Sequence, residues 1–292
     1  MAEEAPSWTV GRLLEWTKDY FTQQGIESAR LDAEVLLAEA RGCKRIELYT
    51  VFDEVPDDPT RAKFKSLVRE RAAGKPVAYL VGRKEFYSLE FAVTPDVLIP
   101  RPETELLVLT ALDALKRLGA SEPAVADVGA GSGAISVAVA KQSPAARVTA
   151  IDVSPAALAV AHQNAERHAV LDRLTLVESD LFAAVDPAVG FDLIVSNPPY
   201  VTTNELVSLD PTVRDFEPLL ALDGGPEGTD VIQRLLTQAS ERLADRGELL
   251  IEIGPAIAGR VEALVGATSG LVFVETHKDL AGLPRVVHAK KA

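Results

Sequence analysis

The sequence predicts an α/β fold: a doubly wound, Rossmann-like sheet that closes in an antiparallel terminal hairpin, preceded by a small helical domain. Three observations predict it. From Ala124 onward, short apolar runs rich in β-branched residues (AVADV, RVTAID, LTLVES, FDLIVS and GELLIEI) alternate with helical stretches at 132–141, 154–169, 229–244 and 257–266. That alternation is the signature of parallel strands joined by right-handed crossovers. The last two runs, LVFVETHKD and PRVVHAKK, lie too close together for a crossover and therefore pair antiparallel. Residues 1–75 show helical periodicity and no strand alternation.

The elements follow in chain order. Trp8 to Gln23 places Val10, Leu13, Leu14, Trp16, Tyr20 and Phe21 near one helical stripe, and Gly25 stops it. Ser28 opens a second helix through Arg41, with Leu31, Val35, Leu36 and Leu37 as its apolar face. A third runs from Thr60 to Ala73, announced by Asp57, Asp58 and Pro59 and ended by Gly74. KEFYSLEFAVTP then reads as a short hairpin within a linker. In IPRPETELLV two prolines bracket Arg101, and a helix continues from Glu103 to Leu118. The expected division is a helical domain at 1–75, a linker with a β-hairpin at 76–100, and the α/β domain at 101–292.

Composition narrows the function classes. A chain of 292 residues, 47% hydrophobic and 25% charged, has room for two cores. A net charge of -13 provides no overall counterion-release binding to a phosphate backbone, which argues against a dedicated nucleic-acid binder. The single cysteine, Cys43, excludes an intramolecular disulfide and a cysteine-ligated zinc. It also lacks the Pro-Cys context of cysteines that attack pyrimidine rings. His162, His168, His277 and His288 show no metal-ligand spacing, and no metal is expected. MAEEAPSW has no signal-peptide pattern, and no apolar run is long enough to span a bilayer. The expectation is a cytoplasmic monomer with no membrane partner.

ADVGAGSGAISVAVA holds the best-placed motif. A strand ending at Val128 runs into Gly129, Ala130, Gly131, Ser132 and Gly133, then into a helix. Glycines accept positive φ and let a ligand approach the backbone, and ligands in such sheets bind beyond the carboxyl ends of the strands. The Gly-x-Gly-x-Gly spacing departs from the dinucleotide fingerprint, and the Gly-Lys-Ser/Thr of a triphosphate loop is missing. Asp127, just before the loop, repels a pyrophosphate and suits a cationic amino group. Asp152 ends the next strand, where a carboxylate can accept both ribose hydroxyls. Asp180 ends the third and, with Leu181 and Phe182, can take the amine and face of an adenine. Alternatively, each aspartate caps the helix that follows it. Taken together, three acids and a glycine loop at successive strand ends describe S-adenosyl-L-methionine better than a nicotinamide dinucleotide.

FDLIVSNPPYV ends the fourth strand at two prolines, which cannot continue a ladder. Asn197 then sits beside the glycine loop. An amide or aromatic amine is a weak nucleophile because its lone pair is delocalised. Two acceptors that hold its N–H bonds turn the lone pair toward a methyl carbon and stabilise the charge developing on nitrogen. The Asn197 side-chain oxygen and the Pro198 carbonyl, immobilised by Pro199, can be those acceptors, and Tyr200 can stack on a planar group. A plain turn is the alternative, and Asn-Pro-Pro-Tyr alone does not separate a protein amide from a nucleobase amine. No general base stands out.

AYLVGRKEF, VLIPRPETELLV, DVGAGSGAI, IVSNPPYV and ALDGGPEGTDVI, in this order, resemble the HemK/PrmC family over nearly the whole chain. The resemblance implies a class I S-adenosylmethionine-dependent methyltransferase with a seven-stranded sheet and an N-terminal helical substrate-recognition domain. The implied activity methylates the side-chain amide (N5) of the glutamine in the Gly-Gly-Gln motif of class I peptide chain release factors, acting in translation termination and leaving S-adenosyl-L-homocysteine. Amino methylation of adenine in nucleic acid is the other reading of the same motif. By this resemblance Gly129 to Gly133 form the cofactor loop and Asp152 holds the ribose. Asn197 touches cofactor and substrate, while Pro198, Pro199 and Tyr200 complete the glutamine pocket. Arg101 and Glu103 line the cofactor pocket or form an ion pair that fixes the linker. Members of the family often carry Trp where Leu181 stands, so this chain offers adenine an apolar wall with less stacking.

Overall fold

The computed structural model describes residues 7–292, so the first six residues of MAEEAPSW lie outside it. The chain divides into one unit of residues up to Gly82 plus Pro211–Phe216, and a second of Arg83–Asp210 plus Glu217–Ala292.

In the first unit Thr9 accepts the Arg12 N–H and opens α1 (Val10–Gln23). Helix α2 (Ala29–Arg41) ends at Gly42 in the left-handed conformation. Asp57 accepts the Thr60 N–H ahead of α3 (Asp58–Ala72). Ser28 precedes α2 without a side-chain cap; its hydroxyl donates instead to Asp32, which Arg71 of α3 also holds at 2.7 Å. Phe21, Leu36, Leu37, Leu48 and Phe64 fill the core, with the short α4 (Val77–Val81) packed against it.

The second unit opens with a two-stranded hairpin, β1 (Arg83–Phe86) and β2 (Leu89–Ala92), and α5 (Thr104–Leu118). The main sheet then builds as β3 (Ala124–Val128), α6 (Ala134–Gln142), β4 (Arg147–Asp152), α7 (Pro155–Arg167), β5 (Leu174–Glu178) and β6 (Phe191–Ser196). A short α8 (Pro211–Arg214), part of the first unit, interrupts it. The chain continues with α9 (Asp230–Arg242), β7 (Leu243–Glu252), α10 (Ala258–Ala267), β8 (Leu271–Lys278) and β9 (Pro284–Lys291).

The seven strands lie in the order β5-β4-β3-β6-β7-β9-β8. All neighbours are parallel until β9, which runs antiparallel to both β7 and β8. The terminal hairpin thus inserts β9 beside β7 and leaves β8 at the edge. Helices α5 and α6 cover one face and α9 and α10 the other. Central strands are therefore buried on both sides, which is why their sequences are continuously apolar rather than alternating.

Topology places the site. The chain lays down β3, β4 and β5 outward in one direction, then returns to put β6 on the other side of β3. That reversal opens a crevice at the carboxyl ends of β3 and β6, where open α/β sheets bind ligands. Ile194, fully buried in β6, is central to this arrangement. Ile194→Ala should lower unfolding free energy by about 2–5 kcal/mol, measured by urea titration with an unchanged denaturant slope.

Candidate active site

The glycine loop is held from beneath by β4. Gly129 and Ala130 N–H both donate to the Ile151 carbonyl, at 2.8 and 3.0 Å, and Gly131 N–H donates to Asp152 Oδ2 at 2.8 Å. At Gly133 (φ +75°) an added Cβ would lie 3.1 Å from the Ala161 Cβ, so only glycine lets α6 start this close to α7. Asn164 of α7, fully buried, ties the loop to the preceding hairpin. Its Nδ2 donates to the carbonyls of Ser132 (2.8 Å) and Ala92 (3.0 Å), and its Oδ1 accepts the Ala92 N–H at 2.7 Å.

Around the loop lies a cavity of about 370 Å³ within the second unit. Among the residues expected from sequence, Arg101, Gly129, Ala130, Gly131, Ser132, Asp152, Asp180, Leu181, Asn197 and Pro199 line it. Asp127, Gly133, Glu103, Pro198 and Tyr200 do not; they stand behind or beside the wall. Asp127 is fully buried, with Oδ2 accepting the Ser136 N–H (2.9 Å) and hydroxyl (2.5 Å) in the first turn of α6. Its other oxygen has no hydrogen-bond partner, and burial pushes its pKa up to about 6. The carboxylate thus braces the first turn of α6 and does not face the cavity, against the sequence expectation of a contact with a cationic amine.

Asp152 Oδ1 accepts the Ser154 N–H at 2.9 Å, so both carboxylate oxygens are fixed with lone pairs to spare for a diol. Asp180 does not cap a helix; it pairs with Arg234 of α9 at 2.5 Å, and both line the cavity. Leu181 is buried with φ +52°, a left-handed turn that lays it on the cavity wall. Arg101 both lines the cavity and forms an ion pair with the buried Glu217, whose other oxygen accepts the Ile99 N–H at 3.1 Å. The pair joins the linker to the segment whose Pro218, Leu220 and Ala221 also line the cavity. Glu103 is exposed at the start of α5.

On the acceptor side, the β3–β6 register sets Ser196 opposite Val128, and the Ser196 hydroxyl donates to the Val128 carbonyl at 2.6 Å. Asn197 follows at once. The segment DGGPEG braces it. Val201 N–H donates to the Leu222 carbonyl (3.0 Å), and Gly224 N–H donates back to Val201 (2.8 Å). A Cβ on Gly224 would come within 2.8 Å of the Pro199 carbonyl oxygen. The Tyr200 ring packs on Gly254, where a Cβ would lie 3.1 Å away, and burial raises its hydroxyl pKa to about 12.

Two residues here were not anticipated. Thr104, also lining the cavity, accepts from Asn197 Nδ2 at 3.3 Å. Glu252, at the end of β7, is buried with Oε2 unpartnered. Burial pushes its pKa up to about 7, against hydrogen bonds from Thr104 and Asn197 that hold it down; Glu103 raises it and Arg285 lowers it. The available signal was an acid inside the apolar run GELLIEI.

Residues 12–82 match the PrmC N-terminal domain, and residues 104–210 match the methyltransferase small domain. The chain is 52% identical to a release factor glutamine methyltransferase of Rhodopirellula baltica, over 98% of this chain and 97% of that protein. It is 43% identical to a protein of the same name from Geobacter sulfurreducens, over 98% of each. Among solved structures, the T. thermophilus 16S rRNA N2 G1207 methyltransferase, in complex with AdoMet and guanosine, aligns with a TM-score of 0.50 at 23% identity. It covers 72% of this chain and 50% of that one, a likeness of fold.

Asp152→Ala removes a charged acceptor from the loop and the cavity. S-adenosylmethionine affinity should fall by more than about tenfold, the worth of one hydrogen bond to a charged group, measured by isothermal titration.

Proposed function

This chain belongs to the family of release factor glutamine methyltransferases, and we propose that it methylates the side-chain amide nitrogen of the glutamine in the Gly-Gly-Gln motif of class I peptide chain release factors. The observation that carries the reading is Asn197: its carboxamide lines the same cavity as the glycine loop, with the amino end held by Thr104. S-adenosylmethionine supplies an electrophilic methyl group on a sulfonium when bound. Gly129 to Gly133, Asp152 and Asp180 hold it, and Asp127 braces the loop from behind through α6.

The chain's own residues act on the acceptor. A glutamine amide needs both N–H bonds held by oxygens, which orients the nitrogen lone pair and stabilises positive charge as the new N–C bond forms. Asn197 Oδ1 and the Pro198 carbonyl are those oxygens. Pro198 and Pro199, clamped by DGGPEG, keep the carbonyl still, and Tyr200 supports the pocket from behind. Residues 1–75 form the recognition domain for the release factor, and the protein works as a cytoplasmic monomer. Methylation of adenine in nucleic acid fits the motif but not the charge of -13.

Which end of the Asn197 carboxamide faces the substrate matters, and Glu252 with Thr104 decides it. An ionised carboxylate only accepts, so it draws the Asn197 amino group inward and leaves Oδ1 for the substrate. A protonated Glu252 also donates and loses that discrimination. Because its folded pKa is raised to about 7, the folded state binds the extra proton between the ordinary carboxylate range and pH 7. Over that window its contribution to stability falls as pH rises, while the ionised form that orients Asn197 accumulates.

Asn197→Ala should keep the S-adenosylmethionine-induced thermal shift and lose methyl transfer by about 10²–10³-fold, the cost of removing one such transition-state contact. Glu252→Gln should lower kcat and abolish the wild-type acid limb near pH 7 in a pH–rate profile. An acid limb that persists unchanged in Glu252→Gln would remove Glu252 from this role.

A further inference from the structure

Sequence spacing alone gives the histidines no metal-ligand pattern, but the terminal hairpin changes their company. In the β8–β9 pairing Glu275 lies directly opposite His288, and His277 follows two residues after Glu275 on the same face. Their ligand atoms all lie within 4.8 Å of one another, the one such cluster of metal-ligating side chains among the described residues. We propose that Glu275, His277 and His288 form a binding site for a borderline divalent transition-metal ion, zinc above all, that bridges the edge strand β8 to β9.

The interior of this cluster is short of hydrogen-bond partners. Nδ1 of His288, which is 4% exposed, and Nε2 of His277 are buried without one. Glu248 Oε2 of β7 stands 2.9 Å from His288 Nε2 and is engaged at 2.8 Å by Arg117. A neutral imidazole has one donor and one acceptor, so unmatched nitrogens gathered on one face call for a group that satisfies them together. The two rings stack at 5.7 Å with 22° between planes, so both edges can turn toward a shared point.

The donor set selects the ligand class. Two imidazoles and one carboxylate suit zinc, cobalt, nickel or copper, whereas magnesium and calcium want oxygen alone. Glu275 is exposed, which leaves an entry path and room for water at the remaining position. The neighbouring Glu248 adds a second carboxylate behind His288, the usual support for a ligating histidine. The site lies at the strand edge rather than in the methyltransferase cavity, whose lining contains none of these residues.

The full-length protein, stripped with a chelator, is titrated with Co²⁺ and then Zn²⁺, following visible absorption, heat and thermal midpoint. The expected result is one Co²⁺ per chain with ligand-field bands, displaced by Zn²⁺, and a midpoint that rises until one equivalent of Zn²⁺ is bound. Glu275→Gln, an exposed position that leaves folding intact, and His277→Gln should each weaken binding by more than about tenfold. No stoichiometric binding, or equal affinity in the wild type and Glu275→Gln, overturns the proposal.

Discussion

One register governs this protein: β6 beside β3, with Ser196 opposite Val128 and its hydroxyl on the Val128 carbonyl. The residue after Val128 begins the glycine loop, and the residue after Ser196 is Asn197. A slip by one residue would turn every side chain of β6 to the opposite face and carry Asn197 away from the loop. The distance between donor and acceptor pockets is thus written into a backbone ladder buried on both faces. Such a ladder deforms little, because its apolar side chains are close-packed against helices on either side.

Two further braces hang from that register. Beneath the loop, Ile151 and Asp152 take the N–H groups of Gly129, Ala130 and Gly131, so the loop's shape belongs to β4 as much as to its glycines. Beyond Asn197, residues 217–228 close the other side: Glu217 grips Arg101 and Ile99, and the Asp223–Gly228 turn lies against the Pro199 and Tyr200 backbone. The segments that look like separate signatures in the sequence are one clamp in space. Buried carboxylates at Asp127 and Glu252 weaken the fold at neutral pH, and their location behind the two pockets links that cost to ligand orientation.

Much of this was legible from residue order. Strand and helix periods gave the sheet and its terminal hairpin, and position at strand ends picked out Asp152, Asp180 and Asn197. What escaped were contacts made by single polar residues far apart in sequence. Asn164, Thr104, Glu217 and Glu252 sit in helices, strands or loops whose local pattern needs nothing special there; only the assembled fold shows their partners. Asp127 stands just before the loop, yet its side chain turns to Ser136 rather than into the cavity. Arg101 could be read as pocket wall or ion pair, and it is both. The Glu275, His277 and His288 grouping depends on a hairpin register with irregularities after Phe273 and His277, which no spacing rule encodes.

A cavity built on the β3–β6 register delivers a methyl group to a protein glutamine. The direct measurement is transfer of labelled methyl from S-adenosylmethionine in the presence of both a class I release factor and DNA, with the modified residue located by mass spectrometry. The expected result is one methyl on the side-chain amide of the Gly-Gly-Gln glutamine and none on DNA. Label on adenine, or on the release factor away from that glutamine, would contradict it.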